Sequence, residues 1–264
     1  MSDFQAKNIV IVGAGNVATH LGVALKKAGH HIIQVYSRTA SHANILAEML
    51  HSESVCDFNQ ICGDADIYIF SVKDSVLEEA IAAVSGKIGK GKLLLHTAGS
   101  MPMSIFQDCA DHYGVMYPMQ TFSKTRPLDF RQIPVFLEAS DDATAQILHL
   151  LATSVSDKVY QLSSEDRKYL HLSAVWSCNF VNHCYDIAAQ ILQEKHIPYH
   201  VLLPLIQETS RKIEQLNPKD AQTGPAIRYD ENVMEAQLQL MDNHPAWQEL
   251  YRRLSASIHE RAME

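Results

Sequence analysis

Hydrophobic and polar positions alternate along the first 163 residues in a pattern that predicts strands followed by helices. The run 9–12 is β-branched and continuous, which is typical of a strand covered on both faces. Strands are also predicted at 32–36, near 55, and at 65–72, 92–95, 114–122, 133–137 and 159–162. Helices are predicted at about 16–28, 41–50, 74–84 and 142–154. Strands that alternate with helices predict an α/β domain with a parallel, doubly wound, Rossmann-type sheet.

From residue 164 onward the periodicity is helical only. The chain is therefore expected to divide into a Rossmann domain, residues 1–163, and an all-helical domain, residues 164–264. A long apolar helix is predicted over about 166–194, with shorter helices at about 199–216, 230–241 and 245–263.

One sector of the long helix is polar, and it contains His, Asn and Cys rather than Lys and Glu. This composition favours the lining of a cleft over a solvated face, which remains the alternative. Its members are His171, Cys178, Asn179, Asn182 and Asp186.

A glycine turn joins the first strand to the first helix. Gly13, Gly15 and Ala18 form G-x-G-x-x-A. In a dinucleotide-binding turn the first glycine permits the tight bend and the second lets the pyrophosphate approach the backbone, while the third small residue allows close helix packing. The pyrophosphate would lie on the helix N-terminus, at Asn16 and Val17. A plain strand–helix turn is the alternative.

The end of the second strand predicts which dinucleotide binds. An NAD site usually places an acidic residue there, whereas an Arg accommodates the 2′-phosphate of NADP. This chain has Ser37, Arg38 and Thr39 at that point and no acid. NADP is therefore the predicted cofactor, and a solvated Arg in a turn is the alternative.

Two more loops follow strands and should reach the same edge of the sheet. Ser71, Val72 and Lys73 are predicted to line the ribose or nicotinamide side, together with Thr97. The same loop, residues 96–100, is expected to supply substrate contacts, although a capped turn without a functional role remains open. The substrate candidates in this loop are His96, Gly99 and Ser100.

In the helical half, a loop at 223–230 carries one cation and one carboxylate, Arg228 and Asp230. Loops on helical scaffolds often carry function, so Arg228 is predicted to contact substrate along with Asn182 of the long helix.

Composition excludes several classes of partner. The formal net charge is −8, which argues against a nucleic-acid-binding face. Five cysteines without a C-x-x-C pair, and 14 histidines without metal-binding spacing, predict no disulfide framework and no metal site. No run approaches the ~18 apolar residues of a membrane span, and the first strand begins too early to leave room for a signal segment. A cytoplasmic protein is expected.

Several segments together resemble a group of NADP oxidoreductases. They are 13–22, 37–39, 71–74, 96–100, 171–180 and 223–230. The N-terminal domain is similar to that of the deazaflavin-coenzyme-dependent NADP oxidoreductases, and the helical half is a domain of unassigned function. More distantly, the chain is similar to pyrroline-5-carboxylate reductase and to the 6-phosphogluconate and β-hydroxyacid dehydrogenases. The resemblance implies NADP binding and a Rossmann domain followed by a helical one.

The chain departs from the β-hydroxyacid dehydrogenases at one position. Those enzymes place a catalytic Lys four residues before an Asn on the long helix, but four residues before Asn179 this chain has Val175. His171 lies two turns before Asn179, and because histidine as a residue type can donate a proton near neutral pH, it is predicted to replace the Lys as proton donor.

These observations predict an NADP(H)-dependent reductase or dehydrogenase that transfers a hydride to or from a small carbonyl or imine substrate. A non-catalytic NADP-binding sensor or scaffold is the alternative. The apolar surface of the long helix also predicts a homodimer formed through the helical half. A compact monomer is the alternative.

Overall fold

The computed structural model describes residues 5–264, which form two compact units. The first unit ends at Asn179 and the second is Phe180–Glu264. The expected lack of a signal segment concerns in part residues 1–4, which lie outside the described residues.

The first unit contains one sheet and the helices that cover it. Its strands are β1 (Asn8–Val12), β2 (His31–Tyr36), β3 (Glu53–Val55), β4 (Ile67–Phe70), β5 (Leu93–His96), β6 (His112–Pro118), β7 (Val135–Ala139) and β8 (Val159–Gln161). Its helices are α1 (Asn16–Lys27), α2 (Ala40–Leu50), α3 (Asp74–Ser85), α4 (Asp142–Val155) and α5 (Ser164–Ala174). Short 3₁₀ turns lie at Phe58–Gln60, Met103–Phe106 and Phe130–Gln132.

The strand order is β3-β2-β1-β4-β5-β6-β7-β8, and β1 lies at the point where the order reverses. Every neighbouring pair is parallel except β6 and β7. The predicted Rossmann-type α/β fold is therefore confirmed, with one antiparallel pair that the sequence analysis did not predict. Its cause lies in residues 119–134, which hold one 3₁₀ turn and no crossover helix, so the chain turns back and runs antiparallel.

Helices cover both faces of the sheet. Ile9 and Ile11 of β1 pack in the cluster that includes side chains of α1, α2 and α4. Val10 and Val12 point the other way, into the cluster that contains side chains of α3. Burial on both faces explains why β1 is continuously apolar rather than alternating.

The predicted long helix over 166–194 is interrupted. After α5 the backbone is π-helical over Val175–Phe180, and α6 spans Val181–Glu194. A π-helical turn accommodates an extra residue, which a 3.6-residue periodicity does not reveal.

The second unit is helical. It contains α6, a 3₁₀ turn at Tyr199–Leu202, α7 (Leu203–Lys212), α8 (Glu231–Gln239) and α9 (Pro245–Met263). The predicted helix at 199–216 is thus shorter than expected at its C-terminal end. Over residues 5–264, no helix is both long enough and apolar enough to cross a membrane.

Candidate active site

The turn between β1 and α1 requires glycine at its first position. Gly13 has a φ of 125°, and a Cβ built on it would lie 2.1 Å from the carbonyl oxygen of Ser71 at the end of β4. The Gly13 N–H donates to the carbonyl of Tyr36 at the end of β2, at 2.8 Å. The first glycine therefore lets three strand ends meet closely.

The second glycine of the turn leaves room for a ligand. Gly15 is the N-cap of α1, and a Cβ built on it would meet no heavy atom within 4 Å. It supplies no side-chain cap, and the first turn of α1 has no acidic residue. The backbone N–H groups that follow, from Asn16 and Val17, are thus available to an anion. Ala18 is buried against the sheet, as predicted for the third small residue.

The segment that predicts NADP lies at the same edge. Tyr36 pairs with Val12 in the sheet, so Ser37, Arg38 and Thr39 continue from a strand end adjacent to the glycine turn. The side chain of Arg38 is exposed, and the Thr39 N–H donates to the Ser37 hydroxyl at 3.3 Å. A guanidinium and two hydroxyls here fit a phosphate on the ribose.

Two buried hydroxyls meet at the ends of β4 and β5. The Thr97 hydroxyl donates to the Ser71 hydroxyl at 3.1 Å, and both residues are less than 10% exposed. Val72 contacts Gly13, since its Cγ1 lies 3.2 Å from a Cβ built there. Lys73 is exposed at the N-cap of α3. These residues line the edge between the glycine turn and the loop after β5.

His96, predicted to contact substrate, is fully buried in this structure. Its Nδ1 accepts the Ala98 N–H at 3.1 Å, and its ring stacks on Phe106 with centroids 5.6 Å apart. Burial, with a further contribution from the charge of Arg167, lowers its pKa to about 3. His96 is therefore a neutral side chain that shapes the 96–100 loop, and direct contact with substrate stays a prediction.

His171 of α5 covers the same loop and hydrogen-bonds to a tyrosine. A Cβ built on Gly99 would lie 2.5 Å from His171 Nδ1, so only a glycine lets the imidazole approach this closely. The Tyr117 hydroxyl, at the end of β6, lies 3.0 Å from the same Nδ1. Burial raises the pKa of Tyr117, which keeps the phenol protonated at neutral pH.

A buried network anchors α5 below His171. Arg167, one turn earlier, donates to the Glu138 carboxylate at 2.6 Å and to the Met101 carbonyl at 2.7 Å. Ser164 donates its N–H and its hydroxyl to Glu138, at 2.8 and 2.5 Å. Burial would raise the pKa of Glu138, but the hydrogen bonds from Ser164 and Arg167 outweigh it and hold that pKa below its usual value. The start of α5 is thereby fixed to β7 and to the loop after β5.

The remaining predicted residues are exposed or only partly buried. Ser100 donates to the Asp74 carboxylate of α3, and Asn179 lies exposed in the π-helical segment. Asn182 and Arg228 are exposed residues of the second unit. Their roles stay predictions. Across residues 5–264, no group of three His, Cys, Asp or Glu side chains is placed to hold a metal ion.

Tyr117, Glu138 and Arg167 are not among the residues that the sequence pattern predicts for the site. Tyr117 belongs to a strand whose end reaches the same sheet edge as His96, and that position could have singled it out. Nothing in the sequence indicates that Glu138 and Arg167, 29 positions apart, form an ion pair.

Two family models match different parts of the chain, and the predicted boundary at residue 163 stays a prediction. A Rossmann-like domain model matches residues 2–119, and a domain of unknown function, DUF2520, matches residues 133–258. No curated protein matches the chain.

Among solved structures, the chain is 48% identical to a "putative NADP oxidoreductase" from Bacteroides fragilis. The match covers 97% of this chain and 98% of that one, with a TM-score of 0.94. An imine reductase from Myxococcus stipitatus, in complex with NADP⁺, is 14% identical over 96% and 92% of the two chains, with a TM-score of 0.67. A pyrroline-5-carboxylate reductase from Coxiella burnetii is 16% identical over 98% of each chain, with a TM-score of 0.58. The latter two share the fold.

Proposed function

Because the chain belongs to the NADP oxidoreductase family represented by the Bacteroides fragilis protein, we propose that it transfers a hydride between NADP(H) and a small carbonyl or imine substrate. The observation that carries this proposal is the Tyr117–His171 hydrogen bond of 3.0 Å beside Gly99. A titratable pair stands there at the carboxyl ends of β5 and β6, where ligands of open α/β sheets bind.

The cofactor site fits NADP on three features of the chain. Gly13 closes the turn, Gly15 leaves open space at the N-terminus of α1, and Arg38 follows the end of β2, where an arginine would accommodate a 2′-phosphate. Bound NADPH would supply the hydride, while the protein contributes orientation and a proton. The buried Ser71 and Thr97 hydroxyls would orient the nicotinamide side.

In the reductive direction the substrate carbon gains a hydride, and its oxygen or nitrogen gains a proton. We assign that proton to His171, which would donate it as the imidazolium and be left as the neutral imidazole. The Tyr117 hydroxyl would hold the ring through its hydrogen bond to Nδ1, and solvent would return a proton to the imidazole. The buried Arg167 holds α5 in place, so the imidazole stays against the Gly99 backbone. Asn179 is proposed as the second polar group for the substrate.

The test is NADPH oxidation, followed by nicotinamide absorbance, against a panel of aldehydes, keto acids and cyclic imines. His171→Ala should lower kcat by about 10²- to 10⁴-fold, the range of general acid catalysis. Tyr117→Phe should lower kcat by about 10-fold, the value of one hydrogen bond. Tyr113→Phe is the matched control, because Tyr113 lies on the same strand at its opposite end.

Turnover of no substrate in the panel, with NADPH still bound tightly, would favour the sensor or scaffold function instead. Turnover that is unchanged in His171→Ala would remove His171 from the mechanism while leaving NADP binding intact.

We further propose that the protein is a cytoplasmic homodimer associated through its helical half. Large apolar side chains are exposed on or directly beside the helical segments of the second unit, and such surfaces commonly form interfaces. Examples are Val201, Leu205, Ile213 and Leu240.

A further inference from the structure

The segment between β6 and the 3₁₀ turn at Phe130–Gln132 is fastened to the start of α1. We call residues 119–129 the β6–β7 loop. The Asn16 amide donates to the Phe122 carbonyl at 2.8 Å, and His20 Nε2 donates to the Ser123 carbonyl at 2.9 Å. Asn16 and His20 lie one turn apart on the same face of α1. The loop therefore lies over the first turns of α1, the helix that follows the glycine turn.

This loop brings a lysine to the glycine turn itself. The Lys124 ammonium donates to the carbonyl of Ala14 at 2.7 Å, and Ala14 stands between Gly13 and Gly15. Lys124 and Ala14 are 110 positions apart in the chain. The loop thus places a positive charge beside the backbone that a dinucleotide's diphosphate must approach.

The charge of Lys124 is not matched by an acid. Within the described part of the chain, no ion pair includes Lys124, and the Ala14 carbonyl to which it donates is neutral. An ammonium has three donors, so two remain for another acceptor. The first turn of α1 adds its own N–H groups and no acidic side chain. The charge of Lys124 and the N–H groups of α1 both favour binding of an anion at the start of this helix.

We propose that Lys124 binds the diphosphate of the nicotinamide cofactor, as a recognition residue delivered by the β6–β7 loop. This inference rests on the proposed function, because it requires that a dinucleotide occupies the glycine turn. It assigns the 2′-phosphate and the diphosphate of NADP to different cations. Arg38 recognises the 2′-phosphate, which NAD lacks, whereas Lys124 recognises the diphosphate that NAD and NADP share.

A purely structural lysine would have a different effect from a diphosphate ligand. If Lys124 only fastened the loop to Ala14, its loss would not alter how strongly salt weakens NAD binding. A direct ion pair with the diphosphate is screened by salt. NAD is the informative ligand here, since it has no 2′-phosphate to contribute its own salt dependence.

The experiment is titration calorimetry of the full chain with NADP⁺, NAD⁺ and adenosine 2′-monophosphate, at low and moderate salt. The variants are Lys124→Met and Arg38→Ala, with Lys27→Met as the matched control. Lys27 is also a lysine next to this loop, but it lies at the other end of α1, about 16 Å from Asn16 along the helix axis.

Lys124→Met should weaken NADP⁺ and NAD⁺ alike, by about 10-fold, and should leave adenosine 2′-monophosphate unchanged. Arg38→Ala should weaken NADP⁺ and adenosine 2′-monophosphate and spare NAD⁺. The salt dependence of NAD⁺ binding should be shallower in Lys124→Met than in the unmodified protein. Lys27→Met should change none of these values.

Equal NAD⁺ affinity in Lys124→Met and the unmodified protein would overturn the inference, as would an unchanged salt dependence. Failure of the unmodified protein to bind any dinucleotide would instead overturn the proposed function, so the two failures are distinguishable.

Discussion

The guanidinium of Arg167 lies 2.6 Å from the carboxylate of Glu138, and Arg167 is only 1% exposed. This pair joins α5 to β7, and His171 stands one turn further along α5. A buried ion pair contributes little net stability by itself, because desolvation offsets the attraction. Breaking it by removing Arg167 is costly, however, since the partly buried Glu138 carboxylate then keeps only its hydrogen bonds from Ser164.

Arg167→Met should therefore lower the free energy of unfolding by about 3 kcal/mol, the lower end of the range for a fully buried pair, measured by urea unfolding. Adding Glu138→Gln should recover part of the loss, because no carboxylate without its guanidinium partner remains. An Arg167→Met variant that unfolds at the same urea concentration as the unmodified protein would show that the pair does not anchor α5.

The two glycines of the β1–α1 turn should respond differently to alanine. Gly13→Ala places a Cβ against the Ser71 carbonyl at a positive φ and should cost more than about 1 kcal/mol of unfolding free energy. Gly15→Ala enters open space and should change that free energy by no more than about 1 kcal/mol. The new Cβ of Gly15→Ala would stand where the diphosphate is proposed to approach, so NADP affinity should fall in this variant. Thermal unfolding and calorimetry measure the two effects, and unchanged NADP affinity in Gly15→Ala would contradict the assignment of the turn.

His96 should make the protein less stable in mild acid. Its pKa is lowered by burial from 6.5 to about 3 in the folded protein, so below 6.5 the unfolded chain takes up a proton that the folded one does not. The contribution of His96 to the free energy of unfolding is therefore full above pH 6.5, and it decreases as the pH falls from 6.5 toward 3. The loss is about 1.4 kcal/mol per pH unit, or about 2 kcal/mol at pH 5.

The measurement is urea unfolding at pH 8 and at pH 5, repeated on His96→Asn. The Asn side chain can still accept the Ala98 N–H, but it does not titrate. The acid loss, meaning the decrease in the free energy of unfolding from pH 8 to pH 5, should therefore be smaller by about 2 kcal/mol in this variant. His51→Asn is the control, since His51 is exposed and its left-handed backbone tolerates Asn. An equal acid loss in His96→Asn and His51→Asn would show that His96 is not the group responsible.

How much the sequence reveals depends on whether a feature is local. The glycine turn is local, because strand, turn and helix start follow one another within residues 8–22. Arg38 is also local, since it follows the second strand directly. The antiparallel β6–β7 pair was missed, although the lack of a helical pattern over 119–134 indicates it.

The proposed proton donor, by contrast, depends on contacts between residues far apart in the sequence. Tyr117 and His171 are 54 positions apart, and their contact depends on how α5 is anchored by Arg167. No periodicity predicts that anchoring. The π-helical segment at Val175–Phe180 also changes the angular relation between His171 and Asn179 from that of an ideal α-helix.

NADP should bind in preference to NAD because of Arg38. Loss of one charge-assisted phosphate contact costs about 1.5–3 kcal/mol, or roughly 10- to 150-fold in affinity. Since Arg38 is exposed, the loss of NADP affinity in Arg38→Ala should lie toward the lower end of this range. The affinity for NAD should be nearly unchanged. Titration calorimetry measures both, and equal affinities for NADP and NAD in the unmodified protein would contradict the cofactor assignment.

The last prediction concerns self-association. In the second unit Leu240 is 82% exposed and Leu205 is 64% exposed, which is costly for a monomer in water. A two-fold interface is the commonest way for a protein to cover such a surface. Light scattering at micromolar concentration should give twice the chain mass of 29.6 kDa, and a mass near 29.6 kDa would reject the dimer.

The double variant Leu205→Lys with Leu240→Lys should shift the mass toward that of one chain, because two lysines of each chain would have to be desolvated at the interface. Leu150→Lys, at a half-exposed position of α4, is the control and should leave the mass unchanged.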